Sequence, residues 1–279
     1  MTYHLRRIAI SCFTLILAFA TLAGPSAAAG RDRIEAFLTT TGFDVALESI
    51  ALSSASAPRM LGIDPDGFGA DWTRLTEEVF DTEDMHEIAV SILEQTLTDE
   101  ALNHAVEFYA SDLGQRLVEA ENASHMNDDD SKQQQGQEIV AALIKEGSMR
   151  VEALKRMNAA IDSSETSLRA LQEIQFRFLL AASASGVIDL QLDPDELRQM
   201  MQRNEAGARR SLQLSALAGA AYTYQDFSDA DVVAYAEALE QPLMQEVYEL
   251  LNAVQYEIMA MKFETLAVRM ADLHPAQDI

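Results

Sequence analysis

Apolar residues return every three or four positions through almost the whole chain beyond residue 30, and only four prolines lie between Pro25 and Pro275. That spacing puts one apolar stripe on each helix, whereas a strand would alternate every second residue. Segments near 31–55, 72–95, 98–121, 137–185, 194–222 and 228–271 carry it, as in Ala101, Leu102, Ala105, Val106, Phe108 and Tyr109, or Val247, Leu250, Leu251, Val254, Ile258 and Met261. The pattern predicts an all-α helical bundle.

The same stretches contain an internal repeat. Ser54-Ala55-Ser56 and Ile63-Asp64-Pro65-Asp66 return 129 positions later as Ser183-Ala184-Ser185 and Leu192-Asp193-Pro194-Asp195. Leu97-Thr98-Asp99 and Glu107 return after 130 positions as Phe227-Ser228-Asp229 and Glu237, so one inserted residue keeps the two blocks collinear. Thr98 and Ser228 have the chemistry of helix N-caps, with acids in the following turn favoured by the helix dipole. Asp112 aligns with Pro242, a good first helical residue. Two related helical units are expected, the first over 30–126 and the second, diverged, over 161–279. A polar acidic loop over 127–136 and a bridging helix over 137–160 are expected between them.

The first 29 residues read as an export signal. His4, Arg6 and Arg7 precede an apolar run from Ile8 to Ala23, then Gly24-Pro25 and the small residues Ser26-Ala27-Ala28-Ala29. Cleavage near Ala29/Gly30 is expected. The run is shorter than the roughly 20 residues needed to span a bilayer, so no stable membrane insertion is expected after cleavage. Processing removes Cys12, leaving no thiol for a disulfide or a nucleophile. It takes the 20 basic residues to 18 against 45 acidic ones, a net charge of −27. Such acidity repels nucleic acid and anionic membrane surfaces. The destination expected is the bacterial periplasm.

Ala105-Val106-Glu107-Phe108-Tyr109-Ala110-Ser111-Asp112-Leu113-Gly114-Gln115-Arg116-Leu117 resembles the Phe-Tyr-x-Ser-x-x-Gly signature of the bacterial family called domain of unknown function 2059. The resemblance is clear over about 70–122 and extends back towards Arg31. It implies a secreted, helical protein and supplies no activity. The second unit keeps the cap but has Ala238, Leu239, Gln241 and Met244 where the signature would fall. As packing, Phe108 and Tyr109 are large anchors, Ser111 a cap, and Gly114 a point of close helix approach. As a site, Phe108, Tyr109, Ser111, Gly114 and the sole tryptophan, Trp72, mark a possible groove.

Other chemistry is sparse. His86-Glu87-Ile88-Ala89-Val90 has valine where a zinc-protease helix needs its second histidine. Gly67-Phe68-Gly69 follows no strand, and Asp64-Pro65-Asp66 lacks the later oxygen ligands of a calcium loop. His104 and His125 could meet across a helix pair near Glu107 and Asp128–Asp130, but two surface histidines beside a solvated acidic loop are the plainer account. Met259 and Met261 have thioether-site spacing, yet positions two apart on a helix face different ways. Those methionines, with Met200, Met201, Met244 and Met270, could instead line an apolar groove. No catalytic residue, metal or cofactor is assigned. The expectation is a non-enzymatic binding protein of the cell envelope, engaging an envelope protein or, alternatively, carrying a lipid or small apolar ligand. The carrier reading predicts an enclosed pocket with methionine and aromatic side chains inside, where the protein-partner reading predicts an open groove; a tightly filled core would end the carrier reading.

Overall fold

The six helical stretches expected from periodicity are cut into shorter pieces by their glycines and turns. The computed structural model describes residues 29–54, 57–63, 70–127, 131–161, 164–203 and 205–273. In them, α1 (Arg31–Thr41) ends at Gly42, whose φ of 73° is left-handed and whose N–H reaches back to the Leu38 and Thr39 carbonyls. There follow α2 (Phe43–Ser54), α3 (Ala57–Met60), α4 (Ala70–Val79), α5 (Thr82–Thr96), α6 (Asp99–Tyr109), α7 (Asp112–His125) and α8 (Ser131–Glu146). The second half holds α9 (Arg150–Ile161), α10 (Ser164–Ala184), α11 (Pro194–Arg203), α12 (Glu205–Thr223), α13 (Asp229–Leu239) and α14 (Pro242–Met270). Among the described residues there is no strand, and no helix is long and apolar enough to cross a membrane. The expected export signal lies outside the described residues except for Ala29, as do residues Asp64–Gly69, Asp128–Asp130 and His274.

Two sequence boundaries need correction. The polar loop expected over 127–136 is helical from Ser131, and the bridging helix expected over 137–160 is broken at Gly147, where φ is 67°. Lys132 and Gln133–Gln135 are good helix formers despite their polarity. Gly136 is buried because α12 crosses there: a β-carbon on it would stand 2.1 Å from the Ala218 carbonyl oxygen. Polar composition marked a solvated surface, which a helix supplies as well as a loop.

The repeated caps behave as their chemistry requires. Thr98 accepts from the Ala101 N–H at 3.2 Å, and Ser228 from the Asp231 N–H at 3.1 Å with a reciprocal carboxylate bond. α6 and α13 are both 11 residues long, and each is followed after the same short junction by α7 or α14. Asp193 likewise caps α11, with Pro194 opening the helix. The pairs differ in reach, α7 having 14 residues and α14 29.

That long helix organises the interior. α14 packs against α4, α5, α6, α9 and α10, burying Val247, Val254, Ile258, Phe263 and Leu266. One contiguous core joins Leu38, Met85, Leu93 and Leu102 from the first half to Phe178, Tyr235 and Ile258 from the second. Each such aliphatic or aromatic side chain contributes about 2 kcal/mol of transfer free energy. Polar ties sit at the edges: buried Lys262 pairs with Asp84, and Arg269 with Glu78 at 3.0 Å. Arg150, also buried, donates to the Phe227 and Tyr224 carbonyls and to Asp229, closing the turn between α12 and α13. These contacts bring the ends of α6, α12 and α13 beside the middle of α7 and the start of α14.

Candidate functional site

The signature residues create the approach of α6 to α7. Ser111 is exposed and caps α7 by accepting from the Gly114 N–H at 3.1 Å. A β-carbon on Gly114 would stand 2.3 Å from the Phe108 carbonyl oxygen and 2.6 Å from the Tyr109 α-carbon, so only glycine permits this packing. Tyr109 therefore enters the interior, 4% exposed, with its ring edge-on to Phe108 at 5.1 Å. Phe108 in turn stacks on Tyr235, centroids 5.7 Å apart and planes within 6°.

Along α7 the inward stripe runs Gly114, Leu117, Val118 and then Glu121. A carboxylate thus occupies a position where periodicity calls for an apolar side chain. Tyr235, in the α13 stripe Val232, Tyr235, Ala236 and Leu239, and Tyr248, one residue after Val247 on α14, meet it there.

The hydroxyls form a closed network. The Tyr235 hydroxyl donates to Glu121 Oε1 at 2.9 Å and the Tyr224 hydroxyl donates to the same oxygen at 2.7 Å. Tyr235 and Tyr248 hydroxyls are 3.0 Å apart, Tyr109 bonds Tyr248, and Tyr109 lies 3.4 Å from Tyr235. A protic order that satisfies these contacts runs from Tyr109 through Tyr248 and Tyr235 to the carboxylate. Burial pushes the Glu121 carboxyl above its ordinary value, with the Tyr224 and Tyr235 bonds opposing. Burial, reinforced by the Glu121 charge, pushes all four phenols upward, so they act as neutral donors and acceptors.

Two cavities flank this network. The larger, of about 310 Å³ and partly open, lies among α7, α9, α12, α13 and α14; Met157, Ile161, Ala216, Ala220 and Leu239 give the apolar part of its lining, and Glu121, Ser124, His125, Asn158, Thr223, Tyr224, Tyr235 and Tyr248 the polar part. The smaller, of about 110 Å³, lies under α1 and α2 beside Phe37, Phe43 and Tyr109. Glu121, His125 and Tyr248 border both. His125 is exposed along one side and turned to the cavities on the other; burial of that part and then the charge of Lys132 lower its pKa.

Among the groove positions expected from sequence, Tyr109 is in the network, Phe108 supports it, and Ser111 and Gly114 shape the helix junction. Trp72 is buried in α4 and borders neither cavity. Glu121, Tyr224, Tyr235 and Tyr248 were not singled out from the sequence; a carboxylate in an apolar stripe is the signal that finds the first. Of the histidines, His125 borders the cavities, while His104 and exposed Glu107 do not. His86 faces Asp44, Nδ1 to Oδ1 2.5 Å. Among the described residues no group of three His, Cys, Asp or Glu side chains is disposed to hold a metal. Met244 and Met270 are buried in the core, Met259 is half-buried, and Met261 and Met200 are 38% and 50% exposed. Met157 is the methionine that reaches a cavity.

Residues 83–142 match the model of a family described as an uncharacterized protein conserved in bacteria, the domain of unknown function 2059. The matched segment carries Tyr109, Glu121 and Gly136, whereas Tyr224, Tyr235 and Tyr248 come from beyond it. No curated protein and no solved structure matches the chain.

Proposed function

From a chain that carries this segment of an uncharacterised bacterial family, we propose a periplasmic binding protein that holds a small, largely apolar ligand and performs no chemistry on it. The observation that carries the reading is the cavity of about 310 Å³, whose lining joins Met157, Ile161, Ala216, Ala220 and Leu239 to polar groups that include Glu121 and three tyrosines. Small-molecule sites have this character: mostly apolar lining, a few placed polar groups, and volumes from about 300 Å³ upward. A core closed purely for stability would fill such a void, because empty volume costs contacts. The location rests on the sequence before Gly30, and the lack of an assigned reaction rests on the absence of a recognisable catalytic motif in the sequence.

Native mass spectrometry of the protein taken gently from its own envelope tests this. An added mass of a few hundred daltons or less is expected; a bare chain that also takes up no small apolar compound on incubation would overturn it. A protein partner is the second reading. Its supporting observation is the exposed apolar surface of Ile144 (62%), Met149 (78%) and Leu214 (60%), on and beside α8 and α12. An adduct of protein mass in the same spectrum would favour it.

A further inference from the structure

Glu121 is a part-buried carboxylate without a cation. Among the described residues it makes no ion pair: its Oε1 accepts both tyrosine hydroxyls, and its Oε2 accepts no hydrogen bond. The charged groups facing it are few. Tyr224 approaches from the end of α12, Tyr235 from α13, Tyr248 from α14 and Tyr109 from α6, all neutral phenols. His125, one turn on along α7, is held towards its neutral form by burial and by Lys132. Lys132 itself donates to the Ser124 carbonyl at 2.7 Å.

An uncompensated carboxylate in an apolar setting is costly to keep ionised. Here it stands at the wall of a cavity, where a ligand can supply the missing charge. We propose that the larger cavity binds a small primary ammonium ion with a short apolar tail, Glu121 being its counter-ion.

The inference rests on the small-ligand reading and narrows it. Three features favour a cation with N–H groups over a neutral molecule. The free Oε2 is an acceptor, and a primary ammonium brings three donors for it and for the hydroxyl oxygens nearby. The wall beside Glu121 is lined by the neutral phenols Tyr224, Tyr235 and Tyr248, which bring no cation of their own to compete with a bound ammonium. The whole chain, at a formal −25, draws cations towards itself. Met157, Ile161 and Leu239 leave an apolar compartment for the tail, and the cavity has room for roughly ten water-sized groups at about 30 Å³ each.

The probe pair is 2-phenylethylamine and its neutral counterpart 2-phenylethanol, titrated calorimetrically into the whole protein at neutral pH. The amine is expected to bind at least tenfold more tightly than the alcohol. Glu121→Gln, which keeps an acceptor for Tyr224 and Tyr235, should erase that preference, bringing the amine's affinity down to that of the alcohol. The wild-type ratio alone is decisive where the variant fails to fold, which its circular dichroism reports. Equal binding of amine and alcohol would overturn the ammonium assignment and leave the small-ligand reading standing. Binding of neither probe overturns the assignment as well, and the native mass of the envelope-purified protein then judges the small-ligand reading separately.

Discussion

At the scale of single residues, the signature is a set of steric and capping instructions, and the carboxylate next to it is the expensive part. Gly114→Ala puts a β-carbon against the backbone of Phe108 and Tyr109, which cannot yield as a side-chain tip could. A loss of about 2–3 kcal/mol is expected from urea unfolding, in the range of overpacked cores. Glu121 titrates in the opposite sense from a paired carboxylate. Its folded pKa is raised by burial, so the folded state holds the proton more tightly than the unfolded state. Its ionisation therefore lowers stability as pH climbs from the ordinary glutamate range through the raised value. Glu121→Gln should remove that loss, melting higher than wild type at neutral pH and equally in acid, by about 1.4 kcal/mol for each unit of the shift. Thermal melts of both proteins at the two pH values check the sign. Tyr109 was legible in the sequence because Phe108-Tyr109-x-Ser111-x-x-Gly114 clusters its signals within seven residues. Glu121 was not, because one acid among 45 draws no attention until the register of α7 is fixed.

At the scale of elements, periodicity located the helices and misjudged their ends. Gly42 and Gly147 end helices through left-handed φ, while Gly136, which looks identical in sequence, lies inside one. What distinguishes them is a partner: Gly136 lets α8 cross α12 at the Ala218 carbonyl, a contact no local rule contains. Gly136→Leu should therefore release α8 from α12 while leaving most helix elsewhere intact. Hydrogen exchange would show lost protection over residues 131–146 and weaker loss across α12, which walls the larger cavity. Unchanged protection in α8 would mean that the crossing contributes little. The caps at Thr98 and Ser228 were readable because a cap is local, needing one side chain and a neighbouring N–H.

At the scale of the whole molecule, the two units expected from the sequence do not have separate cores. Helices from both halves share one contiguous interior, and the tyrosine network takes Tyr109 and Glu121 from the first half and Tyr224, Tyr235 and Tyr248 from the second. Unfolding should accordingly be a single transition. Far-ultraviolet dichroism, which follows helix, and tyrosine absorbance, which follows the network, should share one midpoint; two midpoints would show that the halves fold independently. The sequence could not say this. A stripe every three or four residues tells which face of a helix is covered and nothing about which helix covers it, and the tyrosines joined here are as much as 139 positions apart.

The central place of α14 also sets an order of events during synthesis. The helix that touches α4, α5, α6, α9 and α10 is made after all of them. Until it emerges, the earlier helices have their own pairings, α8 with α12 and α9 with α13 among them, but lack the surface on which α4, α5, α6, α9 and α10 meet. A chain cut short before Pro242 would lack Tyr248 and the inner wall of the bundle alike, so premature termination yields a substrate for proteases and not a smaller version of the protein.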